Sequence, residues 1–320
     1  MSESEFSLIE KYFSSPSRNL KHPCTLLGIG DDAAVMKLPA GHQLVVTMDT
    51  LVAGRHFPRQ TSPYDIAYKS LAVNVSDLVA MAATPSFFLL SITLPEADEN
   101  FLAEFSAGLF AAANAFSIAL VGGDTCKGDL SISIQASGFV LDDSYVSRSG
   151  AAVGDRLFVS GELGAAALGL ASVQGRVQLS PEQQQFCLDA LNRPYPRLDM
   201  IDLLRRYASA AIDLSDGLLG DLGHILASSQ VGAIIDKQKI PAYHALPLHN
   251  CFEYALSGGD DYQILFSVAA DKLEAMNALA TEQNLELFEI GVITESGFFM
   301  LDQHTTIDLA NRRGFDHFAT

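Results

Sequence analysis

Basic residues are scarce in this chain. Its 20 Lys plus Arg stand against 38 Asp plus Glu, a formal net charge of -18. Phosphate backbones and anionic lipid repel a protein of that sign, which argues against nucleic-acid or membrane-surface binding. Small anionic ligands stay open, because bound divalent cations invert the local field. Long apolar runs are missing too: none approaches the ~20 residues of a membrane span. The start, MSESEFSLIE, has neither a basic region nor an apolar signal core, so a cytoplasmic location is expected. Cys24, Cys126, Cys187 and Cys251 are far apart and form no CxxC pair. They read as reduced, half-buried thiols. There is no GxxxxGK[ST] loop, no protein-kinase HRD or DFG set and no EF-hand spacing.

What is present is a well-packed chain of 320 residues, 48% hydrophobic and 18% charged, long enough for two domains. Small residues and glycines interrupt the apolar periodicity at RSGAAVGD (148–155), so domains over 1–148 and 149–320 are expected. In the first half the patterns predict a helix at 5–13 and a strand ending at Asp49. A helix from Ser62-Pro63 to about Ala83 follows, then a strand at 87–94, a helix at 98–116, and strands at 118–122 and 130–140. In the second half strands are expected at 156–161, 210–213, 232–236, 262–268, 286–293 and 297–302. Helices are expected at 163–173, 181–191, 196–207, from about Ser215, and at 271–284. Each half is therefore mixed α and β.

The chemistry-bearing feature is a recurrence of carboxylates among glycines and apolar residues. It appears as GIGDDAAV (28–35), TMDT (47–50), NVSDLVAM (74–81), GGDT (122–125), DLSDG (213–217) and SGGDDY (257–262). A solvated turn explains any one of these; six look like a polynuclear metal site assembled from distant segments. Asp31 and Asp32 are adjacent and repel unless a cation separates them. Asp77 lies in a helix so rich in small apolar residues that burial is expected, and no Lys or Arg stands three or four residues away. Its partner must be non-local, a metal or a hydrogen-bond donor. Asp49 and Asp124 are expected at strand ends, where open sheets expose ligand groups. Ser215 and Asp216 are expected at a helix start, where ordinary capping competes with function. Oxygen ligands without a His or Cys cluster favour Mg²⁺. VSGELGAAALG (159–169) reads equally as a phosphate-cradling turn or as helix–strand packing. Arg148 and His56 are among few cations near these motifs, each able to meet an anion or to serve as a surface residue.

GIGDDAAV, MDTLVAGRHF, KSLAVNVSDLVAM, GGDT, SRSGA, AIDLSDGLLGDLGHI, SGGDDY and the terminal GFDHF, in this order, closely resemble the thiamine-monophosphate kinase family of the aminoimidazole ribonucleotide synthetase superfamily. The resemblance implies an α/β (α+β) fold of two mixed domains, and a homodimer whose N-terminal sheets join into a barrel. It implies ATP-dependent phosphorylation of thiamine monophosphate to thiamine diphosphate. By motif, it assigns Asp32, Asp49, Asp77, Asp124, Asp213 and Asp216 to several Mg²⁺ ions, with Thr47 adding an oxygen. Gly123, Asp124, Arg148 and Ser215 would contact ATP, and His56, Asp260 and Phe315 the thiamine substrate. Two positions depart from the family pattern. SGGEDYE is usual where this chain has Asp260 and Gln263, and glycine is usual where it has Ala82.

Two other readings compete. Superfamily relatives activate an amide oxygen or make selenophosphate; the latter wants a reactive Cys beside a Lys, and Cys24 lacks that setting. A cation-binding scaffold would have no use for His56, Arg148 and a C-terminal aromatic beside the acids.

Overall fold

Alternation between residues 42 and 52 makes one long strand, and the chain's first half is built on it. The computed structural model describes residues 5–17, 22–303 and 305–310. They fall into two units, one comprising residues up to 78 with 83–143, the other 79–82 with the residues from 144 onward.

The first unit opens with α1 (Glu5–Ile9), which runs through a π-helical stretch at Glu10–Ser14 into α2 (Ser15–Ser17). A small antiparallel pair, β1 (Thr25–Leu27) and β2 (Val35–Met36), then brackets the GIGDDAA loop. Next come β3 (His42–Val52), α3 (Pro63–Ala80), β4 (Thr84–Leu94), α4 (Glu99–Ala115), β5 (Ala119–Lys127) and β6 (Ser131–Leu141). The sheet order is β3-β6-β4-β5, with β4 and β5 parallel and the other pairs antiparallel. Along β4, Leu90, Ile92 and Leu94 are buried while Leu89, Ser91 and Thr93 are not, so one face of the sheet supplies the core. Phe88, Phe105, Leu71, Leu78, Ile132 and Ile134 complete that core at under 2% exposure. α4 starts close to the expected place, capped by the Asp98 side chain, which accepts from the backbone N–H groups of Asn100 and Phe101.

Two strands run further than expected. β3 passes Asp49 to Val52 because β6 pairs with it along its whole length, His42 opposite Leu141 through Val52 opposite Ser131. β5 continues past Asp124 because Ser91–Leu94 pair with residues 124–127. Asp49 and Asp124 therefore sit within strands, not at their ends.

The second unit contains β7 (Arg156–Val159), α5 (Ala165–Val173), α6 (Pro181–Asn192), α7 (Ile201–Tyr207), β8 (Ala208–Asp213), α8 (Leu218–Ser229), β9 (Gly232–Asp236), α9 (Glu253–Ser257), β10 (Ile264–Val268), α10 (Leu273–Glu282), β11 (Phe288–Thr294), β12 (Phe298–Asp302) and β13 (Thr305–Asp308). Its sheet runs β13-β12-β9-β11-β7-β10-β8, antiparallel except for β12 with β9. The fold class is thus the mixed α/β type expected. A core of Leu157, Val159, Leu168, Ile212, Leu222, Ile225, Leu265 and Ile293 lies between this sheet and its helices. The helix expected over 196–207 is a 3-10 turn at Leu198–Met200 leading into α7, and the short α9 and β13 were not foreseen.

Burial corrects the uniform reading of the thiols. Cys187 is fully buried, Cys126 is exposed, and only Cys24 and Cys251 are intermediate. Burial pushes the Cys187 thiol up to about 11, with a hydrogen bond to Tyr243 opposing. Ala82 shows why glycine suits its position. It is buried with φ 57°, a left-handed conformation that costs a residue with a Cβ about 1–2 kcal/mol. Among the described residues, no helix is long and apolar enough to cross a membrane.

Candidate functional site

In the first unit, hydrogen bonds tie α3 to β3 at Thr47, Asp49, Asn74 and Asp77. Alternation along β3 turns Val45, Thr47, Asp49 and Leu51 to the covered side. Three turns of α3 answer with polar groups. Ser70 Oγ donates to the Ile66 carbonyl at 2.7 Å, and Asn74 Nδ2 to the Ser70 carbonyl at 3.0 Å. Asn74 Oδ1 then accepts the backbone N–H of Asp49 at 3.1 Å, and Asp77 Oδ2 accepts from Thr47 Oγ1 at 2.6 Å. The non-local partner expected for Asp77 includes this hydroxyl. Asp77 is half-buried and not enclosed, because it lies at the margin of a helix whose neighbours Ser76 and Leu78 are fully covered. Asn74, fully buried, sets the Asp49 backbone and is a positioning group that the motifs alone did not mark.

Gly123 faces Leu90 across the β4–β5 ladder, and a Cβ there would lie 1.9 Å from the Leu90 carbonyl oxygen. Only glycine allows Asp124 this close approach of the two strands. Asp32 and Asp31 are both exposed in the β1–β2 loop, where Asp31 Oδ1 accepts the Asp32 backbone N–H at 2.8 Å. His56 Nδ1 accepts the Val52 N–H at 3.0 Å, which leaves Nε2 as the ring's donor.

The second unit joins DLSDG to SGGDDY. β8 and β10 are neighbours, and their pairing continues beyond the strands. Leu214 N–H donates to Gln263 O at 2.8 Å, Tyr262 N–H to Leu214 O at 2.8 Å, and Asp260 N–H to Ser215 O at 3.0 Å. The expected helix start at Ser215 is displaced to Leu218. Gly217 adopts φ +99°, which breaks helical progression, and the backbone of 214–215 is committed to the neighbouring loop. Ser215 and Asp216 consequently do not cap α8. Asp221, in the first turn of α8 and 2% exposed, reaches back so that its Oδ2 accepts the Asp216 N–H at 3.1 Å. Burial raises the Asp221 carboxyl to about 7. The Asp216 charge adds to the rise, while Arg148 and the backbone N–H groups of Asp216 and Ser215 oppose it. Arg148 is exposed in a segment anchored to β8 by the Ala211 N–H to Ser147 O bond, 3.0 Å. Asp213, 3% exposed, ends β8 as expected.

The glycine turn before α5 resolves in favour of packing. Its Gly164 N–H donates to both oxygens of Asp261, at 2.8 and 3.0 Å, so the protein's own carboxylate occupies that helix N-terminus. Desolvation raises the Asp261 carboxyl well above its usual range, the Gly164 bond opposes, and the charges of Asp260 and Asp221 add to the rise. Gln263 Oε1 accepts from Ser160 Oγ at 2.8 Å and from Arg197 Nη1 at 3.0 Å. Arg197 also donates to the Ser160 carbonyl and pairs with Asp199. Asp221, Asp261 and Arg197 escaped the sequence reading; a third acid after DLSDG and the doubled Asp of SGGDDY were the available signals. Phe315 lies outside the described residues.

Among the described residues, no three His, Cys, Asp or Glu side chains form a ready metal cage. The donor set in the two assemblies is carboxylate and hydroxyl oxygen, which fits a hard cation such as Mg²⁺ and not zinc or copper.

Comparison with known proteins agrees with this architecture. The AIR synthase related protein N-terminal domain matches residues 30–140, and its C-terminal domain matches 152–302. Thiamine-monophosphate kinase of Salmonella typhimurium is 41% identical over 325 aligned residues, covering 99% of this chain and 98% of that protein. The enzyme of that name from Bacillus subtilis is 32% identical, covering 98% and 99%. The solved thiamine-monophosphate kinase of Stenotrophomonas maltophilia superposes with a TM-score of 0.84 at 44% identity, covering 94% of this chain and 97% of that one. A structure of AaThiL complexed with AMPPCP and TMP superposes at 0.77 with 28% identity, over 99% of both chains. The chain belongs to the thiamine-monophosphate kinase family of AIR synthase related proteins.

Proposed function

We propose that this protein transfers the γ-phosphoryl group of ATP to thiamine monophosphate, giving thiamine diphosphate and ADP. The observation that carries the reading is the end-to-end alignment with thiamine-monophosphate kinases at 41% identity. The acid-rich assemblies give it chemical sense. The acceptor is a phosphate monoester whose second pKa is about 6, so it is already ionised near neutrality and needs no strong general base. Its oxygen forms the new bond to the γ-phosphorus, while the bond to the β–γ bridging oxygen breaks and leaves its electron pair on ADP.

In this reading Asp32, Thr47, Asp49, Asp77, Asp124, Asp213 and Asp216 hold several Mg²⁺ ions. When bound, these supply the positive charge that lets two polyanions approach. Gly123, Arg148 and Ser215 contact ATP; His56, through Nε2, Asp260 and Phe315 meet the thiamine substrate. The domains are assigned as 1–148 and 149–320, and the enzyme as cytoplasmic. An ADP-release assay tests the reaction. Release should require both thiamine monophosphate and Mg²⁺, and ATP alone should leave no labelled protein. Release independent of thiamine monophosphate, or ³²P on the chain that chases into product, would overturn the direct transfer.

We also infer a homodimer built on the open face of β3. That strand is an edge of its sheet and exposes Leu44, Val46, Met48 and Val52, with Met48 62% and Val46 55% accessible. An apolar edge of this length invites pairing. Val46→Glu should convert a dimeric mass to a monomeric one by sedimentation at micromolar concentration. A monomeric wild type with full activity would refute the arrangement.

A further inference from the structure

The SGGDDY loop carries a second feature, which rests on the reading of Asp260 as a substrate contact. Asp260 and Tyr262 both adopt positive φ, 70° and 49°, on either side of Asp261. Such values are uncommon for any residue with a Cβ and strained for a bulky ring. Three anchors hold the chain in this shape. The Asp260 N–H is bonded to Ser215 O, the Tyr262 N–H to Leu214 O, and the Asp261 carboxylate to the Gly164 N–H. Strain that is held from three sides orients what it carries. It turns the Tyr262 ring inward to 8% exposure and brings its hydroxyl back over one residue to Asp260 Oδ1, at 3.1 Å.

We propose that Tyr262 is a positioning residue, whose hydroxyl fixes the rotamer of the Asp260 carboxylate for the thiamine substrate. An Asp in this place is one methylene shorter than a Glu, so it has less freedom to find a ligand by bending. A donor that fixes its direction recovers pre-organisation in place of reach. The hydroxyl donates to Oδ1 of Asp260 and so sets the direction of that carboxylate.

The test compares wild type, Tyr262→Phe, Asp260→Ala and the double variant, with KM for thiamine monophosphate and for ATP read separately. Phe keeps the ring in its place and removes only the hydroxyl; a thermal melt checks that the fold holds. Tyr262→Phe should raise KM for thiamine monophosphate about tenfold, with kcat and KM for ATP within about twofold of wild type. Asp260→Ala should raise the same KM, and adding Tyr262→Phe to it should change nothing further. If Asp260→Ala raises that KM and Tyr262→Phe does not, the positioning role is wrong while the substrate contact stands. If Asp260→Ala itself leaves the KM unchanged, the substrate reading fails and takes this inference with it. Equal rises in both KM values together with a lowered Tm would make Tyr262 a structural residue and overturn the proposal.

Discussion

Asp77→Asn is expected to lower kcat/KM by on the order of 100-fold while the protein melts within about 2 °C of wild type. The amide keeps the size of the carboxylate and an oxygen to accept from Thr47 Oγ1, so the α3–β3 contact at 2.6 Å can persist. What disappears is the negative charge at a half-buried position that faces Thr47 of β3. Raising Mg²⁺ should recover part of the lost rate, since a weakened ligand set is refilled by mass action. Thr47→Val separates the two roles. It removes the hydroxyl and keeps the carboxylate, and should cost about tenfold or less. A near-normal rate for Asp77→Asn at moderate Mg²⁺ would remove Asp77 from the metal-binding set.

Gly123→Ala should have the largest effect on stability. The added Cβ would stand 1.9 Å from the Leu90 carbonyl oxygen and 2.8 Å from its carbon, both backbone atoms of a central strand. Neither can swing aside as a side chain would, so the β4–β5 ladder must open locally. A cost of about 3 kcal/mol, or on the order of 10 °C in Tm, is expected. Because Asp124 follows immediately, ATP affinity should fall as well. A soluble variant with unchanged Tm would show that β5 can retreat from β4 at little cost.

The sequence foretold the elements whose signals are local. Apolar patterning found the longer strands, Ser62-Pro63 marked the start of α3 and Pro181 that of α6, and the motifs singled out Asp49, Asp77, Asp213 and Asp216; the short β1, β2 and β13 went unseen. What it missed was decided by chain far away. The start of α8 moved three residues because the backbone of 214–215 pairs with residues 260–263, and no pattern near Ser215 announces that partner. β3 ran past the expected end at Asp49 because β6 pairs with it as far as Val52. Asp261 is defined by the backbone N–H of Gly164, 97 residues before it in the chain. Asn74 opens NVSDLVAM, but its task depends on which strand lies against α3.

The bonds that hold the DLSDG and SGGDDY loops together run from main chain to main chain at Leu214, Ser215, Asp260, Tyr262 and Gln263. Such bonds are indifferent to side-chain identity. Mutation can therefore exchange an acid for a shorter one at 260, or a carboxylate for an amide at 263, while the frame that presents them stays fixed. Asp and Glu codons differ by one base. A lineage can thus adjust the reach of this loop toward its acceptor in single steps, each passing through a folded protein, and selection can act on substrate fit without first repairing the scaffold.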